Sequence, residues 1–144
     1  MIIYLITGFN LQKNTKSIKQ IMKIIIKNIT TISVIQKEFN TIFPYLKLEF
    51  FKNQHKAYQA NAKKDMLNTA QTLMQFQKKH HEGEILINEN MSVAELEKQF
   101  QEIFEVSTQV FRKSGKSWIE TSVTDDWTLK QQNDEGLELS MFGG

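Results

Sequence analysis

Two stretches of the chain, VIQKEFNTIF at Val34 to Phe43 and ELEKQFQEIF at Glu95 to Phe104, say nearly the same thing 61 residues apart. At that shift Ile24 falls on Ile85, Ile26 on Ile87, Lys37 on Lys98, Phe39 on Phe100, Ile42 on Ile103 and Phe43 on Phe104. Conservative pairs lie between these identities: Thr31 with Ser92, Ile32 with Val93, Ile35 with Leu96, and Glu38 with Gln99. The apolar positions stay in phase through two different periodicities, which points to an internal duplication.

Each copy opens with period-two alternation, KIIIKN and EILINEN, the pattern of a strand with one buried face. Each then switches to helical spacing. Ile32, Ile35, Phe39, Ile42 and Phe43 form one apolar stripe, and Val93, Leu96, Phe100, Ile103 and Phe104 form the other. SVAE predicts a capping box at Ser92 and Glu95, and Pro44, the only proline, ends the first helix. A second strand follows each helix: Leu46, Leu48 and Phe50 alternate with Lys47, Glu49 and Phe51, and STQVFRK follows the second helix. Beyond Phe104 the match blurs, since Phe50 falls on Phe111 but Leu48 falls on Gln109.

Ser114 and Gly115 in RKSGKSW mark a hairpin, with a final strand from Trp118 to Val123. TDDWTLKQQN reads as a short helix capped by Asp125 or Asp126. Residues 53–83 read as an insertion, a loop plus one short helix with Leu73 and Phe76 on one side. The whole gives an α+β two-layer sandwich with an internal βαβ repeat. It is expected to be ferredoxin-like βαββαβ plus an extra C-terminal strand, both helices lying on one face of a single sheet. The alternative is a ubiquitin-like β-grasp. Residues 22–134 are taken as one α+β domain, residues 1–21 as a disordered N-terminal extension, and residues 135–144 as a flexible tail.

The apolar start MIIYLITGF is too short for a membrane span and lacks the flanks of a secretory signal. The absence of Cys excludes disulfides, thiol nucleophiles and thiolate metal sites, and fits a reducing, cytoplasmic setting. Charge is lopsided: residues 1–83 carry +9 and residues 84–144 carry −7, giving the net +2. Two halves that face each other would partly neutralise this imbalance.

FPYLKLEFFK, KKHHEGEI and VFRKSGKSWIETSVTDDWTLKQQN together resemble a family of small bacterial conserved hypothetical proteins of α+β fold, over roughly Thr31 to Gly136. The resemblance implies a stand-alone single-domain protein and brings no catalytic residue with it.

Chemistry is thinly represented. His80, His81 and Glu82 lack a third ligand at usable spacing, so no metal is expected. Asp125 and Asp126 are explained as caps, and there is neither a nucleophile motif nor a glycine-rich phosphate loop. The chain is therefore expected to be non-enzymatic and to need no cofactor. It should act through an apolar sheet face on a protein partner, as a monomer or weak dimer and away from membranes. A second reading is nucleic-acid binding, in which a sheet face carrying Ile25, Phe51 and Trp118 or Ile119 is flanked by Lys47, Lys52, Lys56, Arg112 and Lys113. A third takes LELSMF as a final strand before a Gly143–Gly144 terminus, as in ubiquitin-like carriers.

Overall fold

The computed structural model describes residues 2–5, 20–52 and 63–142. In chain order the elements are β1 (Ile2–Leu5), β2 (Gln20–Ile26), α1 (Ile32–Ile42), β3 (Leu46–Phe51), a 3-10 turn at Leu73–Phe76, β4 (Gly83–Asn88), α2 (Val93–Phe104), β5 (Ser107–Ser114), β6 (Ser117–Glu120) and α3 (Leu129–Phe142). The class is α+β. Both expected βαβ units form where the periodicity placed them.

Their pairing differs from the single ferredoxin-like sheet. The strands make two antiparallel three-stranded sheets, ordered β1-β2-β4 and β3-β5-β6. The opening strands of the two copies pair with each other, and so do the closing strands. Helices α1 and α2 each pack against both sheets. They also occupy the strand edges that a single sheet would need. Gln36 Nε2 donates to the Leu48 carbonyl at 2.7 Å, and Asn40 Nδ2 to the Leu46 carbonyl at 2.9 Å. On α2, Gln99 takes both backbone groups of Leu86 at 2.9 Å, and Glu97 Oε1 accepts from the Val110 N–H at 3.2 Å. An exposed row of N–H and C=O groups invites further strand pairing. Here the polar side chains of the helices satisfy part of it, and the sheets stop at three strands.

The register can be set beside the 61-residue shift of the sequence. Ile24 lies directly opposite Ile85, its own counterpart in the other copy. In the second ladder Leu48 lies opposite Val110, a counterpart at a shift of 62 rather than 61. The extra residue arises because α2 has 12 residues to the 11 of α1, and leaves through Glu105 in the left-handed region at φ 55. Pro44 stops α1 earlier. The blurred match beyond Phe104 is thus a one-residue change of phase.

A further part of the duplication was not visible in the sequence reading. Residues 69–73 and 125–129 play the same role for the two helices. Ile32 N–H donates to the Gln71 carbonyl (2.8 Å) and Ser33 N–H to that of Thr69 (2.9 Å). On α2, Val93 N–H donates to the Trp127 carbonyl (3.0 Å) and Ala94 N–H to that of Asp125 (2.8 Å). The first-turn N–H groups have no partner inside a helix, so each copy supplies a short backbone segment for them. Leu73 and Leu129 then insert into the core.

That core is built from the predicted stripes. Ile32, Ile35 and Phe39 of α1, with Val93, Leu96, Phe100 and Phe104 of α2, are buried against Ile24, Ile26, Ile85, Ile87, Leu46, Leu48, Phe50 and Val110. The rings of Phe50 and Phe100 meet edge to face at 5.1 Å. The Ser92–Glu95 capping box is present in both directions.

Several expectations are corrected. Ile2–Leu5 pairs with β2, so these residues join a sheet instead of forming a detached extension, and Gln20 and Ile21 already belong to β2. The final strand is Ser117–Glu120, closed by a two-residue turn with Gly115 at φ 59, and the chain then leaves β6 through a 3-10 turn at Ser122–Thr124. The helix after it is capped by Thr128 and Gln131, which exchange side-chain to backbone bonds at 3.1 and 2.9 Å; neither Asp125 nor Asp126 caps it. It continues to Phe142. LELSMF is therefore helical, which removes the final strand of the β-grasp and carrier readings and the flexible tail from residue 135. Gly143 and Gly144 lie outside the described residues.

Two predictions follow from this packing. Phe39→Ala and Phe100→Ala should each cost about 3 to 5 kcal/mol in urea unfolding, because each removes a fully buried ring. Gly136→Ala should destabilise although alanine favours helices by about 1 kcal/mol, since the new Cβ would sit 2.8 Å from Tyr45 Cβ and 3.1 Å from its carbonyl. A higher melting temperature for Gly136→Ala would show that α3 does not seat on β3 and β5.

Candidate functional site

Alternation along β3, β5 and β6 decides which of the expected binding residues meet. Lys47, Phe111 and Glu120 lie in one row across the sheet, with the Lys113–Trp118 pair two residues along β5 on the same face. Lys47 Nζ lies 5.2 Å from the centroids of both the Phe111 and Trp118 rings, and 3.6 Å from Glu49 Oε1. The ammonium is thus held between two rings and a carboxylate, and Lys47, Lys113 and Trp118 share this face.

The other expected residues go elsewhere. Phe51 is only 1% exposed, so it cannot stack on a base. Residues 65–67 cover the end of β3: Phe51 bridges to Met66, Leu67 N–H donates to the Phe50 carbonyl at 2.7 Å, and Lys52 N–H to that of Asp65 at 3.0 Å. The Lys52 side chain stays exposed beside them. Arg112 belongs to the opposite face, in the row Leu46–Arg112–Ile119. Its Nη1 donates to Gln132 Oε1 at 2.8 Å and its guanidinium lies 5.6 Å from the Trp127 ring. Ile25 is on the other sheet, where it and Leu86 are partly exposed beside a Lys23–Glu84 ion pair of 3.2 Å. Lys56 lies outside the described residues.

Phe111 is the site residue that the sequence reading missed. At the 61-residue shift it falls on buried Phe50, whereas the shift of 62 seen in the second ladder gives Arg112 that place and puts Phe111 on the face of Lys47. The signal that could have found it is the local alternation in QVFRK, where Phe111 shares parity with Gln109 and Lys113 and not with buried Val110.

A second group of polar residues exists only in the second copy. Glu97 replaces Gln36 at the equivalent position and lies near Asp125. Removal of its carboxyl from water pushes its pKa up to about 8; the Val110 N–H lowers it and the Asp125 charge raises it. The Val110 carbonyl on the same edge accepts from the Thr121 hydroxyl at 2.8 Å and from Gln109 Nε2 at 3.1 Å. Gln132 closes the group from α3 by donating to the Thr124 carbonyl and hydroxyl at 2.8 Å.

In the linker, the His81 ring stacks on Phe104 at 5.9 Å and its Nε2 meets the Ile103 carbonyl at the end of α2. Among the described residues no group of three or more His, Asp or Glu is placed to hold a metal ion. No helix among them is long and apolar enough to cross a membrane.

Compared with family models, with curated proteins and with solved structures, the chain matches none.

Glu97 gives a pH prediction. Its carboxyl has a higher proton affinity folded (about 8) than at its ordinary value of 4.5. The folded state therefore binds the extra proton between these values, and its stabilising share is full below about 4.5 and lost as pH rises towards 8. Glu97→Gln keeps an acceptor for Val110 without the titration. Urea midpoints of the two proteins should be close at pH 4, and the variant should gain on the order of 1 kcal/mol or more by pH 8.

Proposed function

We propose that this protein is a non-enzymatic interaction domain that binds a protein partner on the outer face of the β3-β5-β6 sheet. The observation that carries the reading is the charge-balanced aromatic cluster. Phe111 and Trp118 are partly exposed there, and Lys47 and Lys113 are offset by Glu49 and Glu120 on the same face. Aromatic side chains in a mixed-charge frame suit a protein surface, where Trp and Tyr dominate binding energy and buried unpaired charge is costly. A nucleic-acid surface depends on lysines free to replace counterions around phosphates, whereas Lys47 is already engaged by Glu49 and two rings.

The edge of the same sheet supports the reading. Among the described residues β6 pairs with β5 alone, and Ile119 on it is 38% exposed. An extended segment of a partner could add to this edge and reach Trp118 with a neighbouring side chain.

Trp118→Ala tests the assignment without touching the core. In nuclease-treated affinity capture with the full chain as bait, a protein retained by the native sequence should be lost from the variant, with unchanged circular dichroism. Equal retention by both would remove the face from the reading. Oligonucleotide binding at micromolar concentration in physiological salt, weakened by Lys113→Gln, would replace it with the nucleic-acid reading.

A further inference from the structure

The ladders of the core join one half of the chain to the other. β2 pairs with β4 over Ile21–Ile26 and Gly83–Asn88, and β3 pairs with β5 over Leu46–Phe51 and Ser107–Arg112. The Phe50–Phe100 ring contact, the Lys23–Glu84 ion pair, the bond from Tyr45 N–H to Asn133 Oδ1 (3.0 Å) and the seat of Gly136 against Tyr45 cross the same divide. Contacts that place a helix within its own half are of a different kind. Gln36 holds α1 to β3 and Glu97 holds α2 to β5. Residues 69–71 cover the start of α1, and residues 125–127 the start of α2.

Each half, described over residues 20–52 and 63–77 in the first and 83–142 in the second, therefore contains a strand-helix-strand unit with its helix start already covered. β1 pairs along the far side of β2 and β6 along the far side of β5; the partner for the remaining side of each opening strand, and for each closing strand along Leu46–Phe51 and Ser107–Arg112, lies in the other half. Because Ile24 lies opposite its counterpart Ile85, and Leu48 opposite its counterpart Val110, one approximate two-fold relation governs both ladders. This is the geometry of an isologous dimer interface, in which the same patch meets itself. The covalent connection is short and polar, and Lys78, Lys79 and His80 in it are exposed.

We propose that the domain is a fused pseudo-dimer whose two units recognise each other without the connection, so that unit 1 of one copy can pair with unit 2 of a second copy through the same ladders. The partner that this surface fits is thus another copy of this chain. The inference is independent of the proposed function.

The test uses the full chain with a specific protease site inserted between Lys79 and His80, cut after folding. The two pieces should co-elute at the mass of the uncut protein with its circular dichroism intact, and separate in urea. Their melting temperature should now rise with protein concentration, as that of the uncut chain does not. When tagged and untagged cut proteins are mixed, warmed near the midpoint and cooled, tagged first pieces should retain untagged second pieces. Elution of the pieces apart under native conditions, or a native spectrum from either piece alone, would overturn the proposal. Should the insertion itself prevent folding, a second insertion position between Lys78 and Lys79 provides the same readout.

Discussion

The cross-strand pair of Ile24 and Ile85 is the constraint on which the other elements depend. Both residues are fully buried and lie directly opposite one another, and side-chain alternation has period two. A slip of β4 by one residue would turn Ile85 and Ile87 out to solvent and bring Glu84 and Leu86 inward. Burying Glu84 unpaired would cost several kcal/mol. The register is therefore fixed, and it fixes where α1 and α2 start, because each helix follows its strand after a short loop. The second ladder is then set by the helix ends, and the extra residue of α2 with the left-handed turn at Glu105 puts Val110, not Gln109, opposite Leu48.

Polar residues on the helices have a structural task that hydrophobic patterning does not show. Gln36, Asn40, Glu97 and Gln99 stand beside the apolar stripes and bond to the edges of β3, β4 and β5. Without them the strand edges would hold unpaired N–H and C=O groups close to a dry core, at a cost of roughly 1 to 3 kcal/mol each. Three of these side chains are amides. Glu97 alone is ionisable, and it retains its proton because a charge there would be poorly solvated and close to Asp125. The second copy thus carries a pH-sensitive group where the first carries a neutral one.

The charge asymmetry of the sequence is partly resolved by the same assembly. Lys23 of the basic half pairs with Glu84 of the acidic half across the first ladder. The ion pairs Lys47–Glu49, Lys98–Glu102 and Lys130–Asp134 stay within a half. Opposed net charge therefore adds to the complementarity of the units, but apolar burial along two ladders contributes most of it.

Periodicity by itself determined the local elements: the opening strands from KIIIKN and EILINEN, the helical stripes through Phe39 and Phe100, the capping box at Ser92 and the turn at Gly115. These depend on neighbours within a few residues, where the allowed backbone states are few. Of the candidate site, the pairing of the strand ending at Lys113 with the one starting near Trp118 was legible from the hairpin at Gly115. The outward turn of Phe111, the burial of Phe51 and the removal of Arg112 to the other face were not. Only the tertiary structure decided which strand pairs with which, because backbone donors and acceptors are alike in every strand. The choice between one sheet and two depended on which edges the helix side chains had already occupied.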